Sequence, residues 1–359
     1  MATLDELRRQ IDALDGQLVR LLNERAAVAV EIGKLKMSSG AGVYAPDRET
    51  EVLSRVARLS TGPLTRESLH AIYRELMSAS FALERPPRVG YLGPRGSFTH
   101  EAALGKFGAS VEYESLSQIA AVFEEMSRGH VDYGVVPVEN STSGAVLDTL
   151  DAFLKHGTKI CCEMYRAIHH NLMASCRQED IEVVYSKPEA FMQCQRWLAE
   201  TGLAAKVSPA PSTSRAAEMA ASQRNAAAIG SKLAAKLYGL SVLAENIEDN
   251  PNNATRFFVL GRDETRPTGH DRTSLMFVTA HKAGALVEVL LVFQKAGINL
   301  TMLTSRPSPK AEVEYNFFVD IDGHAADANV KKALDDARTH CHTLHVLGSY
   351  PKSTAVLAA

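Results

Sequence analysis

Arg25 and Lys36 are cations where apolar residues are expected. Leu7, Ile11, Leu14, Leu18, Leu21, Val28, Ile32 and Leu35 have the spacing of one face of an amphipathic helix. Arg25 falls on that stripe, and Lys36 follows eleven residues later, about three turns on and nearly on the same side. A buried cation is costly unless an anion meets it. The pair therefore predicts an anionic ligand that is not part of the helix.

The pattern recurs twice. Pro46-Asp47 signals a helix start, and Val52, Leu53, Val56 and Leu59 form its stripe with Arg48 and Glu49 one turn before it. A third stripe reads Leu69, Ile72, Tyr73, Leu76 and Leu83, with Ser80 and Glu84 on it or at its edge. Snorkelling side chains and Arg–Glu pairs inside a bundle are the competing account.

Further along, three strand-to-helix turns are rich in hydroxyls: Ser97, Asn140 to Ser143, and Ser212 to Ser214. Such residues cap helices, and helix N-termini also receive anions. The Gly93 to Ser97 turn lacks the spacing of a phosphate loop. Asn250 to Phe258 places a hydroxyl and a guanidinium after an amide-rich loop and before a strand. Arg256 suits a carboxylate. Thr255 can donate a hydrogen bond to a departing hydroxide. No Ser-His-Asp or Cys-His order stands out, so covalent catalysis is not expected.

The elements that must position these residues fall into three segments. A chain of 359 residues exceeds one ordinary domain. Net charge is −3 and no Lys/Arg cluster occurs, which excludes general nucleic-acid or membrane attraction. The N-terminus has no signal-peptide core, and five cysteines without framework spacing point to a reducing cytoplasm. His340, Cys341, His342 and His345 lack a second ligand pair, so no metal is expected.

Residues 1–85 read as three helices, broken at Gly40-Ala41-Gly42 and Gly62-Pro63. The long first helix cannot bury its stripe against two shorter ones, which predicts dimerisation. Residues 88–263 alternate strand and helix, an α/β pattern long enough for two lobes. Strands are expected at 89–92, 133–138 and 183–186. A loop is expected at 139–144, with helices at 98–107, 145–154, after Lys187-Pro188 through Trp197, and 215–222. Residues 272–350 read as βαββαβ, a ferredoxin-like order, with a strand expected over Val313 to Ile321.

Together these residues closely resemble the bifunctional chorismate mutase–prephenate dehydratase family, over nearly the whole length and in the family's domain order. Leu7-Arg8-Arg9-Gln10-Ile11-Asp12, Glu24-Arg25, Gly33-Lys34-Leu35-Lys36 and Arg48-Glu49 resemble the all-helical mutase class. Tyr91-Leu92-Gly93-Pro94, Pro137-Val138-Glu139-Asn140-Ser141 and Thr255-Arg256-Phe257 resemble the dehydratase. Gly284-Ala285-Leu286-Val287 and Ser305-Arg306-Pro307 resemble an ACT regulatory domain.

The resemblance implies an intertwined helical dimer, a two-lobed dehydratase, an ACT domain and no cofactor. In the mutase, Arg25 and the partner chain's Arg8 hold the substrate carboxylates and Arg48 helps position the substrate. Glu49 accepts from its hydroxyl, Lys36 donates to the ether oxygen, and Ser80 lines the pocket. Thr255 assists the leaving hydroxyl of prephenate, while Asn140, Ser141, Ser212, Thr213 and Arg256 hold it. L-Phenylalanine is the expected effector, at the glycine-led and Ser-Arg-Pro motifs. Three positions depart from the family: Ala45 replaces a polar group, Thr304 a Glu, and Glu84 a Gln. Because an ionised carboxylate would repel charge on the ether oxygen, Glu84 is expected to carry a proton in the working site. A monofunctional dehydratase with a decayed mutase segment, and a non-enzymatic amino-acid sensor, remain open.

Overall fold

The computed structural model describes residues 2–39, 42–307, 315–353 and 356–357. Gly40 and Ala41 of the expected helix break, and Val313 and Glu314 of the expected strand, lie outside them. The chain opens with α1 (Leu4–Ser39), α2 (Pro46–Leu59) and α3 (Arg66–Glu84). Pro46 occupies the first turn of α2, where its missing N–H costs nothing. The Thr65 side chain caps α3 by accepting from the Ser68 N–H. α1 meets α3 at Gly33, where an added Cβ would lie 2.7 Å from the Glu84 Cγ. Only glycine lets the helices approach so closely.

Next come β1 (Arg88–Leu92), α4 (Phe98–Phe107), β2 (Glu112–Leu116), α5 (Ile119–Arg128) and β3 (Tyr133–Asn140). A short β4 (Gly144–Ala145), α6 (Leu147–Phe153) and β5 (Lys159–Ala167) follow. The chain then builds a second sheet from β6 (Asn171–Ala174), β7 (Val183–Ser186), α7 (Pro188–Gln193), α8 (Gln195–Glu200) and β8 (Val207–Pro209). It continues with α9 (Thr213–Ser222), β9 (Ala226–Gly230), α10 (Lys232–Tyr238) and β10 (Ser241–Ala244). β11 (Ala254–Gly261) returns to the first sheet and inserts between β5 and β3. Two strand connections, after β5 and before β11, thus join the lobes.

Both lobes are mixed. β1 runs parallel to β2 and β3, and β11 runs antiparallel to β3 and β5. In the second lobe β7 pairs parallel with β8 and β9, and β6 pairs antiparallel with β9 and β10. The first sheet is buried on both faces, by Val89, Tyr91 and Phe107 on one side and Phe123, Phe153 and Phe258 on the other.

A third sheet comprises β12 (Asp271–Val278), α11 (Ala285–Lys295), β13 (Leu300–Pro307), β14 (Tyr315–Asp322), α12 (Ala328–Arg338) and β15 (Thr343–Pro351). Its order is β13-β14-β12-β15, all antiparallel. β16 (Val356–Leu357) adds to β5.

Three local expectations need correction. Glu139 and Asn140 are not loop residues: pairing with Arg256 and Thr255 extends β3 to Asn140. Ala145 pairs with Glu139, so the following helix begins only at Leu147. The helix after Pro188 breaks at Cys194, whose φ of −123° is not helical, to give α7 and α8.

Candidate active sites

The two cations that open the chain's chemistry lie against α3. Arg25 Nη1 donates to Ser80 Oγ at 2.8 Å, and Ser80 Oγ donates to the Leu76 carbonyl at 2.8 Å. Lys36 Nζ donates to the Val43 carbonyl at 2.7 Å and lies 3.4 Å from a Glu84 carboxylate oxygen. Helical periodicity therefore joins Arg25 to Ser80 and Lys36 to Glu84. Glu49, in the first turn of α2, accepts from Tyr44 Oη at 2.8 Å and from Lys106 Nζ at 2.7 Å.

The single chain does not bring the other two arginines to these pairs. Arg8 is solvent-exposed near Asp5 of its own helix, and Arg48 reaches Glu51 at 2.6 Å. The apolar stripe of α1 is exposed too, from Leu7 at 46% to Leu35 at 70%.

A second constellation forms where β3 ends and β11 begins. Asn140 and Thr255 are register partners. Asn140 Oδ1 accepts the Thr142 and Ser143 backbone N–H groups, both at 3.0 Å. Two backbone donors fix the amide's orientation, so its Nδ2 must face the other way. There it donates to Thr255 Oγ1 at 2.8 Å and to Asn253 Oδ1 at 2.9 Å. Ser141 braces the same junction: its N–H donates to the Ala254 carbonyl and its Oγ accepts from the Ala254 N–H.

The network extends into the second lobe through residues that sequence reasoning missed. Asn253 Nδ2 donates to Gln193 Oε1 at 3.1 Å, and the same oxygen lies 2.8 Å from His170 Nε2. Burial holds the His170 pKa below its usual value, so the ring is neutral with its proton on Nε2 for Gln193. Glu248 accepts from the His170 N–H at 2.8 Å and meets His169 Nδ1 at 2.5 Å. Asn253 stands in the amide-rich loop before β11, a signal that could have found it. Gln193 and His170 carried no such signal.

Ser212 and Thr213 lie at the start of α9 in the second lobe. Ser212 Oγ caps that helix through the Arg215 N–H at 3.1 Å, and neither residue is hydrogen-bonded to Asn140 or Thr255. Next to them, Ser214 Oγ donates to the Arg95 carbonyl and Ser231 Oγ donates to the Gly96 carbonyl. The 93–97 turn of the first lobe is thereby held by the second.

Arg256 departs from its expected role as a substrate clamp. Neighbours on a strand face opposite ways, so Thr255 and Arg256 diverge. The guanidinium is 2% exposed, with Nη2 2.6 Å from Glu163 and Nη1 2.5 Å from Asp320. Nη2 also donates to Tyr350 Oη at 3.1 Å. It bridges the first sheet to the third rather than joining Thr255.

On the third sheet, Gly284 caps α11 with φ +84°. A positive φ favours glycine there. Ala285 is buried and Leu286 packs on the core, whereas Val287 is 55% exposed. Ser305, Arg306 and Pro307 end β13, an edge strand. Arg306 makes a bidentate pair with Asp151 of α6, at 2.8 and 2.6 Å.

Comparison with known proteins gives a consistent pattern. A family profile described as chorismate mutase type II matches residues 7–85, and one described as prephenate dehydratase matches residues 89–265. The chain is 44% identical over 358 residues to a bifunctional chorismate mutase/prephenate dehydratase of Aquifex aeolicus, covering 98% of this chain and 99% of that one. It is 43% identical to the protein of the same name from Stutzerimonas stutzeri, covering 98% of each. The crystal structure of a prephenate dehydratase from Arthrobacter aurescens in complex with L-Phe superposes with a TM-score of 0.69. That structure is 33% identical and covers 76% of this chain and 93% of its own.

Proposed function

The chain belongs to the bifunctional chorismate mutase/prephenate dehydratase family, and from that premise we propose how its residues divide the two reactions. It converts chorismate to prephenate and prephenate to phenylpyruvate, two successive steps of phenylalanine biosynthesis. Residues 1–85 carry the first step, 88–263 the second, and 272–350 form an ACT-type, ferredoxin-like regulatory unit.

The first step is a pericyclic rearrangement that needs no nucleophile. The protein holds a compact conformer and stabilises charge on the ether oxygen. Arg25 and the partner chain's Arg8 take the carboxylates, and Arg48 helps position the substrate. Glu49 accepts from the hydroxyl and Lys36 donates to the ether oxygen, with Ser80 orienting Arg25 and Glu84 orienting Lys36. The exposed stripe of α1 supports a homodimer in which a second copy covers these helices and supplies Arg8.

In the second step the ring carboxylate leaves as carbon dioxide, its electrons aromatise the ring, and hydroxide departs. Thr255 donates a hydrogen bond to the departing oxygen, and Asn140, Ser141, Ser212 and Thr213 hold the substrate. The observation that carries this reading is the Asn140–Thr255 contact. The amide donates one of its hydrogens to Oγ1, and among the described residues the Thr255 proton donates to nothing.

L-Phenylalanine is the proposed effector, at Gly284 to Val287 and Ser305 to Pro307, beside the open edge of β13. Thr304 in place of the family's Glu weakens that site. All five cysteines are free thiols, which suits the cytoplasm. No helix among the described residues is long and apolar enough to cross a membrane.

Incubating the pure protein with chorismate and following both compounds tests the proposal. Chorismate should disappear and phenylpyruvate should form. Turnover of added prephenate without loss of chorismate would establish a decayed mutase segment instead. Titrating L-phenylalanine against prephenate turnover tests the effector.

A further inference from the structure

The mutase segment does not stand clear of the dehydratase segment. The turn before α2 is pinned to the first sheet: the Tyr44 N–H donates to Tyr133 Oη at 3.0 Å, and the Gly42 N–H donates to Asp263 at 2.9 Å. The Tyr44 ring is 4% exposed and packs against Phe81, Phe107 and Tyr133. At this seam Lys106, on the last turn of α4, sends its ammonium across to Glu49 of α2. The two side chains are 17% and 10% exposed, and the ammonium also lies 5.7 Å from the Tyr44 ring centroid.

The two donors to Glu49 do not share its carboxylate evenly. Tyr44 Oη and Lys106 Nζ both meet Oε2. Oε1 accepts no hydrogen bond among the described residues. One oxygen is thus anchored by groups that fix the side chain's rotamer, and the other remains an acceptor. The same turn also holds Lys36, through the Val43 carbonyl next to Tyr44.

We propose that Lys106, carried by the dehydratase segment, is a positioning residue of the mutase site: with Tyr44 it anchors Glu49 Oε2 so that Oε1 is presented to the hydroxyl of chorismate. The inference rests on the reading of Glu49 as the acceptor for that hydroxyl. It makes the chorismate rearrangement depend on contact between the two catalytic segments. Burial disfavours a charged lysine, but the Glu49 carboxylate 2.7 Å away favours the ammonium and the Lys106 pKa lies above its usual value. The ammonium therefore keeps its charge at the seam.

The test uses the full-length enzyme and four variants: Lys106→Met, Lys106→Arg, Glu49→Gln and the Glu49→Gln/Lys106→Met pair. Lys106→Met should raise the KM for chorismate about tenfold with kcat changed less than about threefold, the signature of lost uniform binding. Prephenate turnover should stay within about twofold, and Lys106→Arg should recover most of the KM. In the Glu49→Gln background, removing Lys106 should add less than about twofold, because coupled residues are not additive. An unchanged KM in Lys106→Met beside an impaired Glu49→Gln overturns the proposal and leaves the role of Glu49 standing. Wild-type chorismate kinetics in Glu49→Gln remove that role and the proposal with it. Loss of both activities in Lys106→Met without rescue by Arg makes the contact a brace only, which also overturns it.

Discussion

Asn140 and Thr255 face each other at the end of β3 and the start of β11, 2.8 Å apart from amide nitrogen to hydroxyl oxygen. The backbone of Thr142 and Ser143 dictates which end of the amide meets the hydroxyl. A threonine that accepts from a fixed amide has its own proton left to give. The arrangement also sits beside the two connections between lobes, which meet where the Ile168 N–H donates to the Asn253 carbonyl at 2.8 Å.

Arg256 ties this strand to the third sheet, and its loss should be felt as instability. Arg256→Met leaves the fully buried Asp320 carboxylate without a cation among the described residues, while the equally buried Glu163 keeps only Arg272 at 2.6 Å. Breaking such a pair from one side costs about 3–5 kcal/mol. Urea unfolding should show a loss of that size, with Arg256→Lys recovering only part because it lacks the planar fork. A loss below ~1 kcal/mol would contradict the bridging role.

His100 should make stability acid-sensitive. Its ring stacks on Tyr91 at 4.6 Å and its Nδ1 accepts the Gly96 N–H at 3.1 Å. Burial, followed by the nearby Arg95, pushes its pKa down from 6.5 to about 4. The unfolded chain then takes up the proton at higher pH than the folded one. The contribution is full above the unfolded value and is lost as pH falls from 6.5 to about 4. Its size is about 3 kcal/mol. In His100→Gln the unfolding free energy should fall less steeply across that window, and an unaltered slope would contradict the assignment.

The exposed stripe of α1 should be an assembly surface. Leu14 and Leu18 are 61% and 53% exposed in the single chain. Leu14→Glu/Leu18→Glu should lower the assembly state in sedimentation and cut chorismate turnover about tenfold or more, since a site shared across a two-fold axis is incomplete without its partner. Prephenate turnover should persist. Wild-type assembly and mutase rate in this variant would place the mutase site within one chain.

Legibility in the sequence followed local pattern. The three helices, the alternation of residues 88–263 and the βαββαβ order announced themselves by periodicity and turn residues. β9 did not, because Ala226-Ala227-Ala228 reads as helix by propensity. In the structure it is a buried central strand whose small side chains suit packing against α9 and α10. Thr255 and Asn140 were both visible as residue types, but their direct opposition depends on β11 inserting beside β3, a non-local choice. Arg256 was read as a substrate clamp because its type fits a carboxylate. The carboxylates it meets, Glu163 and Asp320, are its own chain's, distant in sequence. Lys106 gave no signal at all, as one lysine at the end of a helix looks like any other.

The most direct test of the two-site account is Thr255→Ala in the full-length protein supplied with chorismate. Chorismate loss should stay within about twofold of wild type, and phenylpyruvate formation should fall about a hundredfold or more, the scale of losing one donor to a developing oxyanion. Prephenate should then accumulate. Phenylpyruvate formed at the wild-type rate by this variant would contradict the account.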